Sequence, residues 1–199
     1  MAKLDANVVL YAVDLNELRE WLGCKDQERF KEAWTVIQED EEWDEGALEI
    51  MQDLLKNLIN EGKLYAGLDE AERYLLTQVL VDLFDEFVDQ DALTEDIPLD
   101  RFLQVVDELP RGSEAAKLGR TLLRGRELNG EGELWSGGPE KFVSPYFGYV
   151  TREEAPRLIA SLDEAAKRLR SRPSGIFKQL RAAAEECVRA EMDLLSYVG

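Results

Sequence analysis

Four carboxylates, Asp82, Asp85, Glu86 and Asp89, recur at i, i+3, i+4 and i+7, a spacing that lines them along one face of a helix. Helical carboxylates that project into a bundle can hold a pair of metal ions, and those sites set a histidine three residues after a glutamate. This chain has no histidine. Leu83, Phe84, Phe87 and Val88 lie between the acids as an apolar side, so the stripe reads as the wet face of an amphipathic helix. A second acidic stretch, "EDEEWDE" at 39–45, sets six acids around Trp43. Calcium loops place oxygen ligands at fixed offsets about a central glycine, a pattern this stretch lacks. It reads as a solvated connection between helices whose tryptophan reaches back to the core, and Trp43 is kept as a candidate partner contact.

Arg111, Lys117, Arg120, Arg124 and Arg126 form a basic run with Glu114 as the acid inside it. Arginine pairs bidentately with phosphate, so Arg120 and Arg124 are candidate ligand or partner contacts. The glycines that follow, in "GRELNGEGELWSGG", have neither the spacing nor the lysine of a phosphate-binding P-loop. The simpler reading is that the basic run faces acidic surface, in this chain or in a copy of it. Trp135, Phe142, Tyr146, Phe147 and Tyr149 crowd around the same glycines. Aromatic residues beside glycine-rich loops can line a pocket or an interface, and they are also what a small sheet buries. Phe147 and Tyr149, or the residues that alternate with them, are expected to be buried, and Trp135 and Tyr146 are the candidates for touching a ligand or partner.

The absence of histidine removes Ser-His and Cys-His catalytic pairs and histidine-based zinc or iron sites. The two cysteines, Cys24 and Cys187, are too far apart in sequence for a zinc motif or a disulfide framework, and both read as small buried residues. No catalytic constellation, metal or cofactor is expected. The net charge is −18, unevenly placed: residues 1–110 hold 29 acids and 9 bases, whereas residues 111–199 hold 13 acids and 15 bases. An acidic field of this kind repels nucleic acid and anionic membrane and attracts a basic protein surface, although the simpler reading is that it keeps the protein soluble. The N-terminal apolar run, Val8 to Val13, is too short for a signal sequence, and no run reaches the roughly 20 residues of a membrane span. The expectation is a soluble, cytoplasmic protein.

These residues must be positioned by helices. "NVVLYAVD" (7–14) reads as a buried strand. Asp14 caps a short helix that Gly23 ends, and a second helix starts at Asp26 with Phe30, Ala33, Trp34 and Ile37 at helical spacing. A third covers about 45–61, with Gly62 as its stop. The fourth begins at Asp69 with Glu72 in capping-box position and runs to about Asp89. A fifth is expected over 97–109, with Pro98 just before or at its first turn, and a sixth over 113–125. Glycine and proline punctuate 126–150, but "YFGYV" (146–150) is β-prone. Thr151 and Glu154 open a further helix, and a last one covers about 175–192. The closing residues 193–198 could continue that helix or form a terminal strand, and the strand is the preferred reading. The expected fold is α+β: a mostly helical single domain over 1–199, with about eight helices and a small sheet of strands near 7–13, 146–150 and 193–198. Its most acidic helical part is 14–110.

"LYAVDLNELREWLGCKD", "YFGYVTREEAPRLIASLD" and "AAAEECVRAEMDLLSYVG", in this order, resemble an uncharacterised bacterial family defined as a domain of unknown function. Its members similarly open on a strand like "YAVDL", carry a late glycine-containing strand that enters a helix, and close on a helix with an aromatic end. The chain is also distantly similar to YfbM-type bacterial proteins. The resemblance is looser over 39–135. It implies that "YFGYV" is an interior strand, and it brings no activity and no functional residue with it.

Two functions follow as expectations. One is a non-enzymatic acidic interaction domain that binds or neutralises a basic protein partner. The other is a small-molecule binder or carboxylate-based enzyme with a pocket near 135–150.

Overall fold

In the computed structural model the described residues are 6–39, 43–64, 67–87, 92–126, 146–168 and 174–199. They form eight helices and one four-stranded antiparallel sheet, the α+β, mostly helical class that the sequence predicts. The chain divides into two compact units: Met1–Val13, Asp89–Arg126 and Gly132–Gly199 in one, Asp14–Val88 and Glu127–Glu131 in the other.

The first unit holds the sheet. Strands β1 (Asn7–Val13), β2 (Ile97–Pro98), β3 (Tyr146–Val150) and β4 (Asp193–Val198) lie in the order β2-β1-β4-β3. The two ends of the sequence therefore pair at the centre, with Val8 opposite Val198 and Val13 opposite Asp193. Asn7 and Gly199 close the ladder with two backbone bonds, 2.8 and 3.1 Å. Among the described residues the "YFGYV" strand pairs with β4 and stands last in the strand order, with Phe147, Tyr149 and Val150 buried.

Helices α5 (Leu99–Glu108), α6 (Glu114–Arg124), α7 (Ala155–Arg168) and α8 (Gly175–Ala190) belong to this unit. They share one apolar cluster with the sheet residues Val8, Leu10, Ala12, Val150, Leu194 and Val198. Side chains alternate across a strand, so Phe147, Tyr149 and Leu195 take the opposite face; they too are buried.

The expected fifth helix is shorter than its sequence pattern. Ile97 and Pro98 pair with Val8 and Asn7 as β2, and the helix begins at Leu99. Proline tolerates this place because an edge strand need not donate an N–H. The preceding chain also leans on β1: Leu93 donates to the Leu10 carbonyl at 2.8 Å, and Leu10 donates to the Thr94 hydroxyl at 3.1 Å.

The second unit is four helices, α1 (Leu15–Trp21), α2 (Gln27–Glu39), α3 (Glu45–Glu61) and α4 (Glu70–Phe87). Their starts are chemically specified. The carboxylates of Asp14, Asp26 and Asp44 accept N–H groups of the first turns of α1, α2 and α3, which otherwise lack partners. Asp69 and Glu72 form the reciprocal capping box at 2.9 Å each way. Leu15, Leu18, Ala33, Ile37, Met51, Leu55, Leu58, Leu76, Val79 and Leu80 fill the interior. The turn after α1 packs onto the end of α3. Gly23 donates to the Leu58 carbonyl at 3.0 Å and Lys25 to that of Ile59 at 2.9 Å. Gly23 and Gly62 meet here, each with a positive φ that a side chain would strain and each in contact range of the other's backbone.

Candidate interaction surface

On the four-helix unit, helix α2 buries one side and leaves the other outward. Ala33 and Ile37 are buried, while Glu32, Thr35 and Glu39 are exposed and Val36 is half-buried. Positions 32, 35, 36 and 39 share a face by the i, i+3, i+4, i+7 rule. With Trp21 at the end of α1, Ala33, and Leu83 of α4, they line a groove of about 450 Å³. Its lining joins the apolar Trp21, Ala33, Val36 and Leu83 to the acids Glu32 and Glu39. Thr35 turns its hydroxyl onto the Lys31 carbonyl at 2.8 Å, which satisfies it within the helix. Neither Glu32 nor Glu39 forms an ion pair among the described residues. The nearby Arg29 is committed elsewhere: it donates to the Glu20 carbonyl at 3.2 Å and lies over the Trp21 ring, 5.5 Å from its centre.

Those residues singled out from sequence that are described fall in both units. Trp43 belongs to the four-helix unit, half-buried, edge-on to Tyr74 with ring centres 6.4 Å apart. Its indole N–H is shielded from solvent and has no hydrogen-bond partner among the described residues. Arg120 and Arg124 are one turn apart on α6 of the other unit, the first exposed and the second half-buried. Trp135 and Phe142 lie outside the described residues, as does Asp89 of the acidic stripe. Tyr146 begins β3, and its side chain, like those of Asp85 and Glu86, is outside the described part. Phe147 and Tyr149 are packed inside, 0% and 2% exposed. Among the described residues no group of three acids or cysteines is placed to hold a metal.

Around Tyr149 the structure builds a charge cluster that the sequence did not single out. The Arg126 guanidinium lies 4.8 Å from the Tyr149 ring centre and pairs with Glu154 at 2.7 Å. Glu154 also accepts the Thr151 N–H at 3.1 Å while Thr151 accepts from Glu154, closing the expected capping box. Asp193, with its side chain 3% exposed, accepts the Arg152 N–H at 2.7 Å and faces the Arg152 guanidinium at 3.5 Å. These groups satisfy one another and hold the start of α7 to β4. On α7 and α8, Arg181 binds Asp163 through two hydrogen bonds, 2.7 and 3.3 Å, which holds that carboxyl below the usual range.

The cysteines split. Cys24 is exposed, against expectation, because it sits in the turn between α1 and α2 and not on a core face. Cys187 is buried on α8, and burial, with Asp193 and Glu186 nearby, pushes its thiol up to about 12.

Helical periodicity singles out Phe30, Ala33, Trp34 and Ile37 but neither Glu32 nor Val36, and Glu39 stands out only as part of the acidic stretch 39–45. Only the placement of Trp21 and Leu83 beside them makes a concave surface. Comparison with protein-family models, with curated proteins and with solved structures found no match to this chain.

Proposed function

We propose that the chain is a non-enzymatic acidic interaction protein whose partner presents a basic surface. The observation that carries this reading is the charge of the four-helix unit. Residues 14–88 hold 21 acids and 7 bases. Carboxylates such as Glu17, Glu20, Glu28, Glu32, Glu39, Glu45, Glu49 and Asp53 stand exposed on its helices. A concentrated field of one sign steers a partner of the other sign and discourages nucleic acid and anionic lipid. Neutralising a basic protein in the cytoplasm is a role this surface suits. The family resemblance of the strand-bearing ends adds no chemistry to it. The alternative, a ligand pocket near 135–150, draws no support from Phe147 and Tyr149, which are packed inside.

The test is titration of the intact chain with a lysine-rich peptide, an acidic peptide of equal length, and single-stranded DNA. Binding confined to the lysine-rich peptide, and weakening as salt rises, is the expected outcome. Equal binding of the acidic peptide, or of DNA, refutes it.

A further inference from the structure

We infer that the groove between Trp21, α2 and Leu83 is the seat of the basic partner, and that it takes a helical segment with two cations flanking apolar residues. The inference rests on the acidic-interaction reading and makes it local. Glu32 and Glu39 are seven residues apart on α2, so about 10 Å separates them along the axis at 1.5 Å per residue. A partner helix matches that separation with lysines or arginines at i and i+7. Its residues at i+3 and i+4 then face the interval between the two acids, where Val36 stands and where Trp21, Ala33 and Leu83 supply apolar lining. The charges are complementary and available: both acids are exposed and neither is paired among the described residues.

The occupant is a protein segment more than a small ligand. The groove offers an apolar lining and two separated acids but, among the described residues, no inward hydrogen-bonding cluster to fix a small polar molecule, which binding pockets normally provide. Helix-in-groove recognition needs only the apolar anchor and flanking charges present here. The Arg29 guanidinium over Trp21 adds a positive charge at one side. That places the favoured positions for incoming cations at Glu32 and Glu39, not on the indole.

The probe is a synthetic amphipathic peptide with lysines at i and i+7 and leucines at i+3 and i+4, beside a scrambled peptide of identical composition. Both are titrated into the intact chain at low salt, with amide NMR shifts recorded along 32–39. The patterned peptide is expected to bind tighter than the scrambled one and to shift that segment. The E32Q/E39Q double variant is expected to weaken it roughly fivefold, the scale of two exposed ion pairs. Val36→Lys tethers a competing ammonium between the two acids and is expected to weaken it at least as much. The new ammonium follows Glu32 by four residues, the favourable orientation for a helical ion pair, so the fold is retained, as circular dichroism would verify. If the patterned peptide binds equally well to wild type and to both variants, the groove is not the seat, although the acidic surface still binds. If neither peptide binds wild type, the acidic-interaction reading and the groove fall together.

Discussion

The hydroxyl of Ser196, on the strand that closes the chain, lies 2.6 Å from the carbonyl oxygen of Leu122 near the end of α6. The Gly148 carbonyl is 3.1 Å from the same hydroxyl. Leu122 is in the last turn of its helix, where carbonyls have no partner along the helix. The sheet supplies one here, in a wholly buried setting. Removing the hydroxyl leaves the Leu122 carbonyl without it. Ser196→Ala is expected to cost about 1–3 kcal/mol, read as a lower denaturant midpoint with an unchanged slope.

The approach of α6 to the sheet depends on Gly148. A Cβ on this residue would stand 2.7 Å from the Leu122 carbonyl oxygen, and the Thr121 carbonyl is also too close. Both obstacles are backbone, so a rotamer change cannot relieve them. Gly148→Ala is expected to destabilise by at least the ~1–3 kcal/mol typical of overpacked cores. A thermal melt unchanged from wild type would show that α6 does not sit this tightly on β3.

Glu154 accepts from Arg126 and from the Thr151 N–H, and its side chain is only 16% exposed. Glu154→Ala removes the cap of α7 and strands the Arg126 charge, whereas Glu154→Gln keeps the shape and an acceptor. The alanine variant is expected to be the less stable by about 1 kcal/mol or more, the usual scale of a lost helix cap. Equal melting of the two would mean that the cap and the charge contribute little.

Glu191 ends α8 in the left-handed conformation, with φ of 60°. A side chain pays about 1–2 kcal/mol there that glycine does not. Glu191→Gly is expected to raise the melting temperature, since glycine's looser unfolded state offsets only part of that gain. A lower melting temperature would show that the Glu191 side chain has a stabilising role of its own.

The two thiols should report the fold directly. Cys24 is expected to react with a maleimide at once in the native state, and Cys187 only on unfolding. The Cys187 thiol is raised from 9.0 to about 12 in the folded protein. The folded state therefore holds a proton that the unfolded state releases, and stability linked to it is full below about pH 9 and lost as pH rises towards 12. Comparing wild type with Cys187→Ala over that range isolates the effect: the wild type should lose more stability on alkaline titration.

Much of the local structure was legible. Asp14, Asp26 and Asp69 marked helix starts, and Gly62 a helix stop, because a cap is a bond between residues close in sequence. Strands at 7–13, 146–150 and 193–198 were visible as β-branched and aromatic runs. Ile97–Pro98 was not, because a two-residue strand has no period, and only its partner β1 defines it. The buried Ser196, the clash that keeps Gly148 a glycine, and the Arg126–Tyr149–Glu154 cluster join residues far apart in the sequence.

The sequence by itself determined the capped helix starts at Asp14, Asp26 and Asp69, the acidity of 14–88 and the exclusion of histidine chemistry, since these depend on residue type and near neighbours. Tertiary structure decided the strand order, with the chain's two ends side by side at the sheet centre, because pairing is a contest among distant segments. It also decided which helix face becomes a surface with shape. Glu32, Val36 and Glu39 form a stripe in any α-helix, and they line a groove only because α1 brings Trp21 and α4 brings Leu83 beside them.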